Sequence, residues 1–332
     1  MSLDQLIENN DPDPLIREIS ALCNARNWRG VMEIRDRCEQ ATERGKTLWG
    51  VAEHAAYRIA LEAPGQFAGH ALDTKTGPLA IGPLPEVAAS THTWEELAPH
   101  VEEGPLRGLT AYECVALGED LSDDASLAEH RTAFELPLRL FPWEPEYPKA
   151  EYLEDGANFP APRVDVVQQR AITDQHGDFV DDLMTIESWR ALVSPWVEQS
   201  NGWARVFITE GEVDSAIQQV DQEITTVTQI TTSSALQWMC WAASSGGAYG
   251  RRRGLAAGRA MTWLTLADAC DLLDDEMPTG DEIGERLEGL QWWTWNEVDF
   301  SENWNLRLAV HDPVEGTTIA INAQDSTDQF AS

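Results

Sequence analysis

The residues best suited to chemistry are four arginines that lie within nine residues, directly after a glycine-rich loop. A guanidinium group binds an oxyanion through two parallel hydrogen bonds. If the loop opens a helix, its free backbone amides and the positive end of the helix dipole face the same anion. A phosphorylated or carboxylated small molecule, or an acidic partner surface, would fit such a site. The predicted anion-binding residues are Gly246, Gly247, Gly250, Arg251, Arg252, Arg253 and Arg259.

A structural interpretation competes with this one. Gly250, Gly254 and Gly258 are four residues apart, so on a helix they would share one face and let a neighbouring backbone pack closely. The arginines would then neutralise carboxylates of the same chain. The stretch lacks the Lys-Ser/Thr pair of a P-loop and the glycine spacing of a dinucleotide-binding turn. We therefore expect no bound cofactor.

Two histidines are secondary candidates. His92 lies just before a predicted helix start, where an imidazole could act as a general acid or base or could bond locally within the turn. His54 lies in a helical pattern, but no second histidine follows four residues later, so the zinc-binding pattern of metalloproteases is missing. We expect His54 to be packed or at an interface, and we expect no metal site.

The remaining unusual residues have simpler explanations. Five widely spaced cysteines predict buried free thiols, and not a disulfide framework or a zinc site. An acidic run follows a predicted helix without calcium-loop spacing, which indicates a solvated face or a surface for a basic partner. Three tryptophans on a predicted strand indicate core packing, or an interface if they are exposed. The acidic run is Asp271, Asp274, Asp275 and Glu276, and the tryptophans are Trp292, Trp293 and Trp295.

Composition limits the class of protein. The 332 residues include 57 acidic and 23 basic ones, which gives a formal net charge of −34 and a pI of about 4.3. This charge argues against nucleic-acid binding and against docking on anionic membranes, since both need a basic surface. An apolar content of 42 % with 14 tryptophans is enough for a packed core. No membrane-spanning run or signal peptide is present in the sequence, so we expect a cytoplasmic location.

The first part of the chain is predicted to be helical. Apolar residues recur at helical spacing, and Thr93 with Glu96 forms a capping box at one helix start. Two helical hairpins, over residues 28–63 and 93–117, predict a repeat-like helical lobe over residues 1–127. The individual helices are predicted over residues 28–44, 47–63 and 109–117.

Proline then dominates residues 128–165, which we interpret as an irregular connector. Residues 166–325 mix strand and helix patterns, and residues 326–332 are predicted to fray. The predicted fold class is therefore α+β, with a helical N-terminal lobe followed by a mixed α/β lobe. The strands are predicted over residues 203–209, 224–230, 304–310 and 317–322.

The glycine–arginine stretch also carries a resemblance. Residues 241–254, Trp-Ala-Ala-Ser-Ser-Gly-Gly-Ala-Tyr-Gly-Arg-Arg-Arg-Gly, followed by Ala-Gly-Arg at 257–259, resemble a family of uncharacterised, mostly actinobacterial proteins with the signature Ser-Gly-Gly-Ala-Tyr/His-Gly-Arg-Arg-Arg-Gly. The resemblance extends to residues 60–65 (Ala-Leu-Glu-Ala-Pro-Gly) and 86–94 (Glu-Val-Ala-Ala-Ser-Thr-His-Thr-Trp). It implies an intracellular bacterial protein and assigns no catalytic residues.

Two functions follow from these patterns. Because no catalytic set is recognisable, the sequence favours a cytosolic binding or adaptor protein that acts through protein–protein contacts, and not an enzyme. The alternative is an enzyme or sensor that binds a phosphorylated or carboxylated small molecule at the glycine loop and the arginine cluster.

Overall fold

A computed structural model describes residues 3–77, 80–127, 134–273, 278–296 and 303–327. The chain divides into two units, Met1–Ala133 with Lys149–Phe159 and Phe134–Pro148 with Pro160–Ser332. The segment predicted as a connector, residues 128–165, is therefore shared between the two units. We name them the helical unit and the mixed unit.

The helical unit is built around one long helix. Its helices are α1 (Leu3–Asn9), α2 (Pro12–Asn24), α3 (Trp28–Glu43), α4 (Trp49–Glu62), α5 (Gly65–Ala71), α6 (Leu84–Ala89), α7 (Trp94–Leu97) and α8 (Pro105–Ala116), with 3-10 turns at Ala98–His100 and Ala125–Leu127. Helix α4 contacts α2, α3, α5 and α6. A helix packed on several sides must be apolar nearly all round, which explains the alanine-rich sequence of α4.

The start of one helix in this unit follows its sequence signal. The predicted capping box is confirmed, because the Thr93 backbone N–H donates to Glu96 Oε2 over 3.1 Å at the start of α7. Helix α7 is only one turn long, since Pro99 follows it and starts a 3-10 turn. Helix α6 lies between the two predicted helical hairpins, where the sequence patterns predict no helix.

A short hairpin of strands β1 (Glu151–Leu153) and β2 (Gly156–Asn158) completes the helical unit. Tyr57 of α4 donates a hydrogen bond from its hydroxyl to the Leu153 carbonyl, and Gly156 O lies 3.1 Å from the same hydroxyl. The Tyr152 hydroxyl donates to Glu86 Oε2 over 2.6 Å. These contacts hold the Tyr57 ring and join the hairpin to α4 and α6.

The mixed unit contains an antiparallel sheet. Its described strands are β3 (Val166–Ala171), β4 (Asp178–Phe179), β5 (Trp203–Glu210), β6 (Thr226–Ile230), β7 (Gln291–Trp295), β8 (Asn303–Asp312) and β9 (Thr317–Ser326). They form a seven-stranded sheet in the order β3-β6-β7-β8-β9-β5-β4. Strands β8 and β9 make a long hairpin whose register pairs Trp304 with Asp325 and Asp312 with Thr317. The predicted α+β class, with helices first and a mixed region after, is confirmed.

Helices cover the sheet. The mixed unit has α9 (Leu183–Ala191), α10 (Ser194–Glu198), α11 (Val213–Val220), α12 (Thr232–Ser244), α13 (Leu255–Ala269) and α14 (Gly280–Leu287). Helix α11 packs on β5, β8 and β9, and its apolar residues form a core with Trp293 and Trp295. Since neighbouring strand residues point to opposite faces, Trp292 lies on the other face and is also buried. The three tryptophans therefore belong to the core.

The chain end departs from the predicted frayed tail in one respect. Ser326 is the last residue of β9 and is buried, because β8 pairs with β9 to its end. Residues 328–332 of that predicted tail lie outside the described residues. Within the described part of the chain, no helix has both the length and the apolar character needed to cross a membrane.

Candidate functional site

The glycine–arginine stretch is a loop and not a continuous helix, so the prediction of a three-glycine helix face is wrong. Helix α12 ends at Ser244 and α13 begins at Leu255. Gly254 precedes α13 with φ +97°, a left-handed conformation that favours glycine and interrupts any helix. Of the three, Gly258 alone lies on α13, where a Cβ would stand 2.6 Å from the Cys240 carbonyl oxygen of α12. Close packing of the two helices is the reason for that glycine.

The place predicted for an external anion holds a carboxylate of the same chain. Asp325 of β9 is only 2 % exposed, and its Oδ2 accepts a hydrogen bond from the Ala248 backbone N–H over 2.6 Å. Gly247 has φ +71°, and a Cβ on it would lie 2.2 Å from the same oxygen. The glycines therefore bend the loop closely around Asp325, which occupies the position of the predicted ligand.

Other polar groups of this loop also have internal partners. The Tyr249 N–H donates to Ser200 Oγ and the Arg251 N–H donates to Gln199 Oε1, both over 3.1 Å. The Tyr249 hydroxyl donates to the Thr327 carbonyl over 2.6 Å. The loop is thus fastened to the segment after α10 and to the end of β9.

Arg259 is the most deeply buried of the four arginines, with 1 % of its side chain exposed. Its Nε and Nη2 donate to the two oxygens of Glu144 over 2.7 and 2.8 Å. The same guanidinium donates to the carbonyls of Pro137 and Arg139 over 3.0 and 2.8 Å. Burial opposes the charge, but the hydrogen bonds to Glu144 outweigh it and raise the pKa of Arg259 above its usual value. This guanidinium is therefore already paired with a carboxylate of the same chain.

Arg253 contacts other groups than Arg259 does. The Arg253 guanidinium donates to Ser194 Oγ and lies 3.4 Å from the Ala191 carbonyl oxygen, while burial lowers its pKa. Arg251 is exposed and Arg252 is half-buried. Arg253 and Arg259 therefore have different partners, although their sequence positions suggested one shared cluster.

His92 bonds locally, as one of the two interpretations held. Its Nε2 lies 2.7 Å from the Ala63 carbonyl oxygen and its Nδ1 lies 3.0 Å from the Ala88 carbonyl oxygen. Both ring nitrogens are therefore within hydrogen-bond distance of backbone carbonyls. The ring ties the end of α4 to the turn after α6.

His54 lies at a cavity of about 420 Å³ within the helical unit. Helix α4 contributes Trp49, Glu53 and Tyr57, which are four residues apart and so lie along one stripe of the helix. The start of α2 and the segment before α6 supply further, mostly apolar wall. Trp49 is 43 % exposed, so part of this wall meets solvent.

Two polar groups at this cavity lack partners among the described residues. Glu53 is 8 % exposed; its Oε2 accepts a hydrogen bond from the Gly77 N–H over 3.0 Å, whereas its Oε1 is buried without one. The Nε2 of His54 is likewise buried and unpaired. Burial, and secondly Arg58, lower the pKa of His54, so the ring is neutral near pH 7. The cavity therefore combines an apolar wall with unused hydrogen-bonding capacity.

Of the acidic run, Asp271 has φ +55° after the end of α13, while Asp274, Asp275 and Glu276 lie outside the described residues. The five cysteines are buried free thiols. In the described ranges, no three His, Cys, Asp or Glu side chains come together in a way that could hold a metal ion.

The profile of one protein family matches residues 13–327 of this chain. The chain belongs to the DUF6183 family. Its description is a family of unknown function. No curated protein and no solved structure gives a significant match. The matched DUF6183 region includes both the Asp325 loop and the residues of α4 that line the cavity.

Sequence reasoning reached His54 but missed the carboxylate beside it. Glu53 and His54 stand together in a run that is otherwise Val, Ala and Tyr on the buried faces of α4. A charged residue in an apolar helical stretch is the signal that could have identified Glu53. Nothing in the sequence shows that only one of its two oxygens has a partner in this DUF6183 protein.

Proposed function

We propose that this DUF6183 protein is a binding protein, and not an enzyme, whose helical unit holds a small molecule with an apolar body. The cavity beside Trp49, Glu53 and His54 has a volume within the usual range for ligand sites, roughly 300–1,000 Å³. Its wall is mostly apolar with a few polar groups, which is the usual composition of such sites.

One observation carries the proposal: Glu53 lines the cavity, and its Oε1 is buried without a hydrogen-bond partner among the described residues. Leaving such a group unsatisfied costs about 1–3 kcal/mol, and more for a charged group. A ligand that donates a hydrogen bond to this oxygen would recover that free energy. By contrast, the carboxylates of Asp325 and Glu144 already have donors.

The adaptor role is the second part of the proposal. In the bacterial cytoplasm, ligand binding would change the surface contacts that the protein makes with a protein partner. The net charge of −34 favours a partner with a basic or neutral face.

The alternative is an enzyme or sensor for a phosphorylated or carboxylated small molecule at the glycine loop. One observation favours it: the Ala248 N–H already holds a carboxylate, so the loop geometry suits an oxyanion. An external anion would have to displace Asp325, which makes this the weaker candidate.

A cavity-filling variant tests the main proposal. Gly50 lines the cavity, and a Cβ there would meet no atom within 4 Å, so Gly50→Leu adds volume without a clash at Cβ. Gly156→Leu is the matched control, because Gly156 has equal room and does not line the cavity.

The measurement is a thermal-shift screen of small apolar compounds with polar substituents against the full chain. A ligand at 100 times its Kd should add about 2.7 kcal/mol of stability. We expect at least one compound to stabilise the wild type and Gly156→Leu but not Gly50→Leu. Equal stabilisation of both variants, or no stabilisation by any compound, would refute the proposal.

A further inference from the structure

The charge distribution around Glu53 limits the class of ligand. We infer that the cavity of the helical unit binds an organic cation, namely a primary or secondary amine carried on an apolar body. This inference rests on the proposed function, because it specifies the ligand of the same cavity.

Glu53 has unused hydrogen-bonding capacity. Glu53 has one hydrogen bond, from the Gly77 N–H over 3.0 Å, and its second oxygen has none among the described residues. A buried carboxylate is stabilised by donors, and a charged donor gives a shorter bond about twice as strong as a neutral one. An ammonium group at Oε1 is therefore the best complement.

Within the described residues, no cationic side chain is paired with this carboxylate. His54 is neutral, because burial lowers its pKa. The next cationic residue of α4, Arg58, is paired with Glu62 Oε1 over 2.5 Å and with Glu154 Oε1 over 2.8 Å. A cationic ligand would supply the positive charge that Glu53 lacks among the described residues, whereas a carboxylate or phosphate ligand would be repelled by an ionised Glu53.

Two aromatic side chains form part of the cavity wall. Trp49 and Tyr57 line the cavity on either side of Glu53 in the sequence of α4, one helical repeat away in each direction. The Tyr57 hydroxyl is occupied by the carbonyls of the β1–β2 hairpin. Aromatic rings attract cations through their negative faces, and tryptophan does so most strongly. The apolar wall also accepts the hydrocarbon part of the ligand.

The test compares three probes that share a phenethyl group by isothermal titration calorimetry with the full chain: phenethylamine, phenethyl alcohol and 3-phenylpropionate. We expect phenethylamine to bind at least about tenfold more tightly than the alcohol, and 3-phenylpropionate to bind most weakly or not at all. This comparison uses the wild type alone, so it does not depend on the folding of a variant.

Glu53→Gln then removes the charge while an amide oxygen remains to accept the Gly77 N–H. We expect this variant to lose about tenfold or more in phenethylamine affinity and to keep the affinity for the alcohol within about twofold. The exposed Glu95 of α7 provides the control, and Glu95→Gln should leave both affinities unchanged.

The failures are distinguishable. Equal binding of all three probes, or tightest binding of 3-phenylpropionate, would overturn the cation inference and leave a ligand-binding cavity in place. If neither these probes nor any compound of the thermal-shift screen binds, the proposed function fails together with the inference.

Discussion

Two buried carboxylates, Glu144 of the mixed unit and Glu53 of the helical unit, differ in how many hydrogen bonds they accept. In the mixed unit, Glu144 accepts hydrogen bonds from Arg259, Tyr147, Trp263 and the Phe141 backbone N–H. In the helical unit, Glu53 accepts one hydrogen bond from the described residues, and its other oxygen has no partner among them. The comparison teaches that satisfied hydrogen bonds mark a structural group, and an unsatisfied one beside a cavity marks a candidate site.

The same comparison explains why a dense group of arginines is not by itself a binding site. In a chain with 57 acidic residues, a buried guanidinium can find a carboxylate of the same chain, as Arg259 does, or can use a hydroxyl and a carbonyl, as Arg253 does. Arg259 is paired with Glu144, and the backbone N–H of Ala248 donates a hydrogen bond to Asp325. These polar groups hold loops in place within the mixed unit.

The largest effect is expected at Glu144. Glu144→Ala removes the partner of a fully buried guanidinium, and breaking a buried ion pair in this way costs about 3–5 kcal/mol. Urea unfolding followed by circular dichroism measures the loss. The double variant Glu144→Leu with Arg259→Met removes both charges and should be more stable than Glu144→Ala. A loss below about 1 kcal/mol in the single variant would show that this ion pair is not structural.

A smaller loss is expected at Asp325. Asp325→Asn keeps the size but removes the charge that the Ala248 N–H contacts, so stability should fall by about 1–3 kcal/mol. Asp178 on β4 is exposed, and Asp178→Asn should change stability by no more than about 0.5 kcal/mol. Inorganic phosphate should stabilise neither the wild type nor Asp178→Asn. Saturable stabilisation of the wild type by phosphate would favour the glycine loop as the ligand site.

The loop conformation provides a third test. Gly247→Ala forces a Cβ into a left-handed conformation and against Asp325, so it should destabilise the protein by about 1–2 kcal/mol. The matched change Gly156→Ala is made where nothing lies within 4 Å and should have little effect. Thermal unfolding of the two variants measures the difference. Equal melting temperatures would mean that the loop does not need its close fit around Asp325.

The smallest effect concerns pH and His54. The folded-state pKa of His54 lies below its ordinary value of 6.5, first because of burial. Below pH 6.5 the unfolded chain therefore takes up this proton before the folded chain does, so this residue's contribution to stability is full above pH 6.5 and is lost as pH falls through the folded-state pKa.

The comparison with His54→Gln isolates that contribution from the many carboxylates. Between pH 8 and 7 the stability difference between wild type and variant should be constant. As pH falls below 6.5, the wild type should lose more stability than the variant. A difference that stays constant down to pH 5 would show that His54 is not held neutral by its surroundings.

Much of the fold could be predicted from the sequence, because periodicity and caps act locally. The strand patterns around Val206 and Ile319 and the capping box at Thr93 depend on neighbours in the chain. The division of residues 128–165 between two units could not be predicted, since it depends on which surface each segment packs against. Proline alone indicated only that helices and central strands were excluded there.

The candidate site was harder to predict for the same physical reason. Arg259 and Glu144 are 115 residues apart, and Ala248 and Asp325 are 77 apart, so no local pattern reveals their pairing. Likewise, the Oε1 of Glu53 is unpaired because no described residue that is distant in sequence places a hydrogen-bond donor beside it. Residue type indicated where charges lie in the sequence. Only the contacts of the folded chain show which carboxylates have a hydrogen-bond donor at both oxygens.

The most direct test is a pair of calorimetric titrations of the wild-type chain, one with phenethylamine and one with inorganic phosphate. If Glu53 binds the ligand and Asp325 already occupies the glycine loop, the titration with the amine should show saturable binding heat with a stoichiometry of one. The titration with phosphate should show no binding heat. Saturable heat with phosphate, and none with the amine, would contradict this account.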